Sequence, residues 1–191
     1  MKVVAFNGSA RKDGNTATLI RQVFVPLEAA GIETELLQLA GKPLRGCTAC
    51  TQCAQKKNNR CVMENDMLND YLAKMLSADG IILGSPTYFA DITSEMKALI
   101  DRAGYATRAS GEALRYKVGA GVVAARRGGS MHALQSLQNF FLVSQMIIPG
   151  SSYWNVGFGR HPGDVEQDEE GMNTMQRLGE NMAWLLKKIA V

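Results

Sequence analysis

A chain of 191 residues that is 46% hydrophobic and 20% charged has the size and balance of one compact domain, able to bury roughly 70% of its unfolded surface. That excludes disorder, collagen and coiled coil. Lys and Arg number 21 against 18 Asp and Glu, a net charge of +3, too small an excess for a dedicated nucleic-acid binder, which must replace many phosphate counterions. No apolar run approaches the roughly 20 residues that span a bilayer, and Met1-Lys2 leads straight into a strand-like segment rather than a signal-peptide core. The protein is therefore expected in the cytoplasm, with neither membrane nor nucleic acid as a partner.

Lys2 to Phe6 (KVVAF) is a short apolar strand that stops at Asn7-Gly8-Ser9. Asn15 to Ala30 then places Leu19, Ile20, Val23, Phe24 and Leu27 at helical spacing. Pro26 is expected to kink or interrupt that helix, and Gly31 to end it. Glu33 to Leu39 partly alternates and reads as a second strand; Gly46 to Arg60 reads as a loop. A helix over Asp66 to Leu76 leads to Gly80 to Gly84 (GIILG), a run suited to a strand buried on both faces. Thr93 or Ser94 can cap a helix from about Glu95 to Arg102. Val118 to Ala124 is a further buried strand, Ala133 to Gln145 a helix, and Ile147-Ile148 the opening of a last strand. The acidic stretch from Asp164 to Glu170 suits the N-terminus of a final amphipathic helix, Glu169 to Ile189.

Strands and helices alternating in this way predict a three-layer α/β domain over residues 1–191, with a parallel sheet whose ligands sit at the carboxyl ends of the strands. Function is to be sought after Phe6, Gly84 and Ala124. After the first lies Gly8 to Thr16, where small residues let backbone N–H groups turn inward, Ser9, Asn15 and Thr16 add side-chain donors, and a helix begins. The segment has neither the nucleoside-triphosphate loop nor the dinucleotide fingerprint, so a terminal monophosphate fits best, against a plain polar turn. After the second lies Ser85-Pro86-Thr87-Tyr88-Phe89, a stiffened turn whose aromatics either stack on a flat heterocycle or fold into the core. After the third lies Ala125-Arg126-Arg127-Gly128-Gly129-Ser130, which allows close backbone approach and fixed positive charge, or is a solvated basic loop.

Ser9-x-Arg11-x-x-Gly14-Asn15-Thr16 together with Gly84-Ser85-Pro86-Thr87-Tyr88-Phe89 resembles the FMN-binding pattern of flavodoxin-like NADPH-dependent FMN reductases and iron–sulfur flavoproteins, over nearly the whole chain. The resemblance implies a five-stranded parallel sheet of order 2-1-3-4-5. It implies FMN phosphate held by Ser9, Arg11, Gly14, Asn15 and Thr16, with the ring flanked by Pro86, Thr87, Tyr88 and Phe89. Ala125, Arg126, Gly128 and Gly129 would complete the site, and homodimers or homotetramers would hold FMN near a subunit interface.

All four cysteines fall in one segment, Cys47-x2-Cys50-x2-Cys53-x7-Cys61, inside a loop at about 42–63. In a reduced compartment such clustering favours ligation or redox chemistry over a disulfide framework. Three thiolates at successive three-residue intervals suit three irons of a [4Fe–4S] cubane, with Cys61 closing the fourth corner. A single zinc more commonly takes two separated knuckles. The spacing is similar to the compact motif of iron–sulfur flavoproteins, although Val62 rather than Pro follows Cys61. Five basic and no acidic residues between Lys42 and Cys61 would favour an anionic cluster and attract an acidic redox partner such as a ferredoxin.

His132 and His161 have no ligand-spaced partner and read as surface or packing residues. Met67, Met75, Met175 and Met182 read as core fillers. Trp154 and Trp184 suit either a subunit interface or the core. The primary expectation is an oxidoreductase passing electrons through FMN and a cluster, with no side-chain acid, base or nucleophile required. The alternatives are an NAD(P)H-dependent FMN or quinone reductase without a cluster, and a non-catalytic protein that binds a partner through a metal-organised loop.

Overall fold

Short apolar strands that are buried on both faces need helices above and below them, and the computed structural model, which describes residues 1–189, has that arrangement. The strands are β1 (Lys2–Asn7), β2 (Glu33–Gln38), β3 (Gly80–Pro86), β4 (Val118–Ala125) and β5 (Val156–Phe158). They pair in parallel in the order β2-β1-β3-β4-β5, the expected flavodoxin-like sheet. The helices are α1 (Asn15–Ala29), α2 (Gln52–Lys56), α3 (Leu68–Ser77), α4 (Ser94–Ala109), α5 (Ser130–Val143) and α6 (Glu169–Ile189).

Alternation along the strands divides the core into two. Val3 and Ala5 of β1, Ile82 of β3 and Val118, Ala120 and Val122 of β4 pack with Leu19, Ile20 and Val23 of α1 and Met175, Leu178 and Met182 of α6. Val4 and Phe6, then Ile81 and Leu83, face Leu72 and Met75 of α3, Leu99 of α4 and Leu137 and Phe141 of α5. Met75, Met175 and Met182 are core fillers as expected, and Met67 packs at the core's margin. Trp154 and Trp184 are more than half exposed and belong to neither core.

Helix α1 stays helical through Pro26 to Ala29. Pro26 lies in its last turn, so little helix follows it, and Gly179 of α6 packs so closely on the Val23 carbonyl and the Pro26 ring that no Cβ would fit there. The helix ends as expected at Gly31, whose φ of 78° lets the Gly31 N–H reach the Glu28 carbonyl and the Ile32 N–H reach Leu27. Among the described residues, no helix is long and apolar enough to cross a membrane.

Four elements differ from the sequence expectation. The fifth strand is Val156–Phe158, not a run opening at Ile147, which makes only one bridge, to Val118. Pro149 cannot donate to a ladder, so the chain leaves the sheet and returns seven residues later. Helix α4 continues past Arg102 to Ala109, and α5 begins earlier, at Ser130. The cysteine loop contains a short helix, α2, with no buried residue.

Candidate functional site

The carboxyl ends of β1, β3, β4 and β5 bring their loops together. The Gly8 N–H donates to the Gly84 carbonyl at 2.8 Å, and the Thr93 hydroxyl donates to the Gly8 carbonyl at 2.9 Å while accepting from the Met96 N–H to cap α4. At β1, Asn7 Oδ1 accepts from the Ser9 N–H and Ser9 Oγ accepts from the Arg11 N–H. Ser9, Asn15 and Thr16 are buried. Helix α1 starts at Gly14 with no side-chain cap and no acidic residue in its first turn. Its first N–H groups and its positive dipole end are therefore free for an anion. A Cβ at Gly14 would stand 2.9 Å from Arg11 Cβ, so the loop closes this tightly only with glycine there.

A segment unforeseen in the sequence joins this loop. Asn15 Oδ1 accepts from the Gly163 N–H at 2.9 Å, Arg11 Nη1 donates to the Arg160 carbonyl at 3.4 Å, and the Gly159 N–H donates to the Ala125 carbonyl. Asp164 Oδ2 accepts from the Arg160 and His161 N–H groups, which hold its carboxyl below the ordinary range, His161 contributing most. Placing the last strand at Ile147 hid this turn. The signal available was Gly159-Arg160-His161-Pro162-Gly163 after the apolar Val156–Phe158.

Beyond β3, the Thr87 N–H donates to the Ala124 carbonyl, but the buried Thr87 Oγ1 has no partner among the described residues. Tyr88 and Asp91 close a two-residue turn through reciprocal backbone hydrogen bonds. Phe89 and Ala90 at its tip have φ of 44° and 69°, strained values for residues with a side chain. Tyr88 is about half exposed and Phe89 fully exposed, so neither aromatic folds into the core. Gly129, at φ 85°, lies against this turn, where a Cβ would come within 2.8 Å of Ala90 Cα. Asp91 fastens the turn to α5 by accepting from Ser136 Oγ at 2.7 Å, with His132 Nε2 3.4 Å away at the surface. Arg126 and Gly128 stand exposed beside it, and Ala125 is buried at the end of β4. The residues expected at the flavin site thus lie in these adjoining loops or in the strand ends and helix start that flank them.

The four cysteines are free thiols that border one cavity of about 60 Å³, closed by Val62, Met63, Arg102, Tyr105 and Ala106 among others. Cys47 and Cys50 are exposed, and Cys53 and Cys61 half-buried. Ala49, Thr51, Lys57 and Asn59 all take left-handed φ between 47° and 59°. Such turns make successive N–H groups converge: the Ala49 N–H donates to Cys47 Sγ at 3.4 Å. The Gln52 N–H, helped by the Thr48 hydroxyl against a smaller desolvation, holds the Cys50 thiol below its ordinary range. Among the described residues, no three His, Cys, Asp or Glu side chains converge on a point that could hold a single ion.

Arg102, the residue at which α4 was expected to stop, is 2% exposed beneath the cavity. It pairs with Asp66, whose side chain is fully buried. Burial alone would raise the Asp66 carboxyl, but Arg102 and the N–H groups of Arg45 and Leu68 outweigh it and hold the group below the ordinary range. Burial likewise opposes the guanidinium charge, and Asp66 and Cys61 more than restore it. An isolated arginine in a helix gives no sequence signal for this role, because its partners lie 36 to 57 residues away.

A family model described as NADPH-dependent FMN reductase matches residues 1–161. An iron–sulfur flavoprotein of Methanocaldococcus jannaschii is 39% identical over 196 aligned positions, covering 99% of each chain. An iron–sulfur flavoprotein of Methanosarcina thermophila is 30% identical, covering 99% of this chain and 97% of its own. Among solved structures, RosB with bound 8-demethyl-8-formylriboflavin-5'-phosphate superposes with a TM-score of 0.77 at 17% identity, covering 99% of this chain and 80% of that one. An NAD(P)H:quinone oxidoreductase from Methanothermobacter marburgensis gives 0.70 at 14% identity, covering 95% and 96%. At these identities the structures speak for the fold alone.

Proposed function

The chain belongs to the NADPH-dependent FMN reductase family and is an FMN-dependent oxidoreductase; from that premise we propose that it moves electrons between its FMN and a [4Fe–4S] cluster held by Cys47, Cys50, Cys53 and Cys61. When bound, the flavin exchanges electrons singly or in pairs and the cluster exchanges them one at a time. The residues then have distinct tasks. Ser9, Arg11, Gly14, Asn15 and Thr16 hold the phosphate at the open N-terminus of α1. Pro86, Thr87, Tyr88 and Phe89 flank the ring, with the unpaired Thr87 Oγ1 available to a polar ring atom. Ala125, Arg126, Gly128 and Gly129 close the other side, where positive charge and backbone donors favour a reduced, anionic ring.

One observation carries the cluster reading: all four thiols border one cavity in a loop whose left-handed residues turn N–H groups toward sulfur. The basic residues around it suit an acidic redox protein of ferredoxin type, and a cytoplasmic setting keeps free thiols reduced. Exposed Tyr88, Phe89, Tyr153, Trp154 and Phe158 favour a second copy, in a homodimer or homotetramer, covering the flavin edge. The family's description favours a second reading, in which NAD(P)H reduces the flavin directly and the cysteines hold no cluster.

Protein purified without oxygen is assayed for FMN, iron and acid-labile sulfide beside its visible spectrum. About four irons per chain and one FMN are expected. Flavin without iron, bleached rapidly by NAD(P)H, would replace the cluster reading with the second one. Absence of both chromophores would overturn both.

A further inference from the structure

We propose that Arg102 is a positioning residue for the cysteine cavity: it clamps both stems of the loop and donates to the Cys61 sulfur, with a buried Nε–H in reserve, so that adding an electron there becomes easier. The inference rests on the cluster reading above and goes one step beyond it.

The hydrogen-bond inventory of this guanidinium is nearly closed. Nη1 donates to Asp66 Oδ2 and to the Arg45 carbonyl at 3.0 Å. Nη2 donates to Cys61 Sγ and to the Met63 carbonyl, each at 3.3 Å. Guanidinium has five N–H donors, so these contacts use four and leave Nε–H, which is buried without a partner among the described residues. A buried donor left unpaired is costly. Arg102 lines the cavity that the four cysteines border, where a cluster would present sulfur acceptors.

The contacts also close the loop. Arg45 precedes Cys47, while Cys61, Met63 and Asp66 form the returning stem. The Arg45 N–H donates to Asp66 Oδ2 at 3.1 Å and the Met67 N–H to the Pro43 carbonyl at 3.1 Å. Arg102 thus ties together the two ends from which all the thiols hang. Lysine could not replace it: a point charge with donors on one atom cannot span Arg45, Met63 and Cys61 together.

Reduction adds one electron from a low-potential donor, here dithionite in the test and a ferredoxin-type protein in the reading above. No bond forms or breaks, and the thiolate-bound assembly becomes one charge more negative. Hydrogen bonds to sulfur and nearby positive charge stabilise that form and raise the potential. Asp66 tempers the effect by neutralising part of the guanidinium charge, so the two residues act with opposite sign.

Anaerobic holoprotein is titrated with dithionite and the cluster's midpoint read by electron paramagnetic resonance, with iron and sulfide assayed on each sample. Arg102→Lys should weaken the one-electron reduction about tenfold, a 59 mV fall, and Asp66→Asn should shift the midpoint upward. Midpoints that stay put, or move in the same direction, in fully loaded variants would overturn the proposal. If Arg102→Lys does not fold or load, Asp66→Asn decides alone: a raised midpoint supports the role, an unchanged or lowered one removes it. Wild-type protein without iron and sulfide would sink the cluster reading and this inference with it, a result distinct from loaded protein whose potentials do not respond.

Discussion

The two candidate sites of this molecule are built in opposite ways. Around the N-terminus of α1, Ser9, Asn15 and Thr16 are buried, and loops from four strands are tied to one another by backbone hydrogen bonds. That site is shaped by the same burial that forms the sheet. The cysteine loop has two exposed and two half-buried thiols, a five-residue helix with no fully buried residue, and four left-handed non-glycine residues. Its stems are anchored at Arg102 and Asp66, and in between it is tied at a few points, the Asn59 N–H to Ser110 Oγ and Cys61 to Asn69. A site at a sheet edge inherits order from the fold, whereas a site in a loop must take order from what it holds.

The largest expected consequence is a difference in protection. Each left-handed non-glycine residue costs on the order of 1 kcal/mol, so a loop freed of its ligand gains several kcal/mol by relaxing. Extracting iron with a chelator should therefore expose the Lys56 and Lys57 bonds to trypsin, with cleavage rising on the order of 100-fold. Removing FMN should leave the bonds after Arg11 and Lys12 far less affected. Equal acceleration at both loops, seen by mass spectrometry of the fragments, would break the contrast.

A smaller effect separates the sites chemically. Thr16 is buried at the uncapped helix start, where its hydroxyl can donate to a phosphate. A hydrogen bond to a charged group contributes about 1.5–3 kcal/mol, so Thr16→Ala should weaken FMN binding roughly 10- to 100-fold by flavin fluorescence while iron content stays at its wild-type value. Cys50→Ser should do the reverse, losing iron and keeping FMN. Loss of both cofactors from either variant would show that the two sites fold as one.

How much of this was legible in the sequence follows from the same contrast. Apolar runs such as Gly80 to Gly84 and Val118 to Ala124 announce buried parallel strands because both faces need helices, and the segments after them supply the candidate flavin residues. The last strand is ambiguous in the sequence because Ile147-Ile148 is as apolar as Val156–Phe158; the departure at Pro149 decides between them. The cysteine spacing was plain, but the clamp beneath it was not. Arg102 reads as one more cation on an amphipathic helix, and its meaning comes from Arg45, Cys61, Met63 and Asp66, which the fold alone brings to it.

The smallest effect concerns the turn that the sequence concealed. Asp164 accepts from the N–H groups of Arg160 and His161 at 3.0 and 2.7 Å, so its folded carboxyl titrates below that of an ordinary aspartate. A depressed carboxyl contributes stability above its unfolded pKa and loses it as the pH falls through the folded one. Above the ordinary carboxyl range the Asp164 carboxylate should hold the turn; in more acid solution Arg160 and His161 should be released from Asp164. The amide resonances of these two residues should shift together with a midpoint below that of an unperturbed aspartate, and Asp164→Asn should abolish the transition. A midpoint at or above the ordinary value would mean that the carboxylate does not hold the turn, leaving the Asn15 contact to Gly163 and the Arg11 contact to Arg160 as links between the last strand's loop and the start of α1.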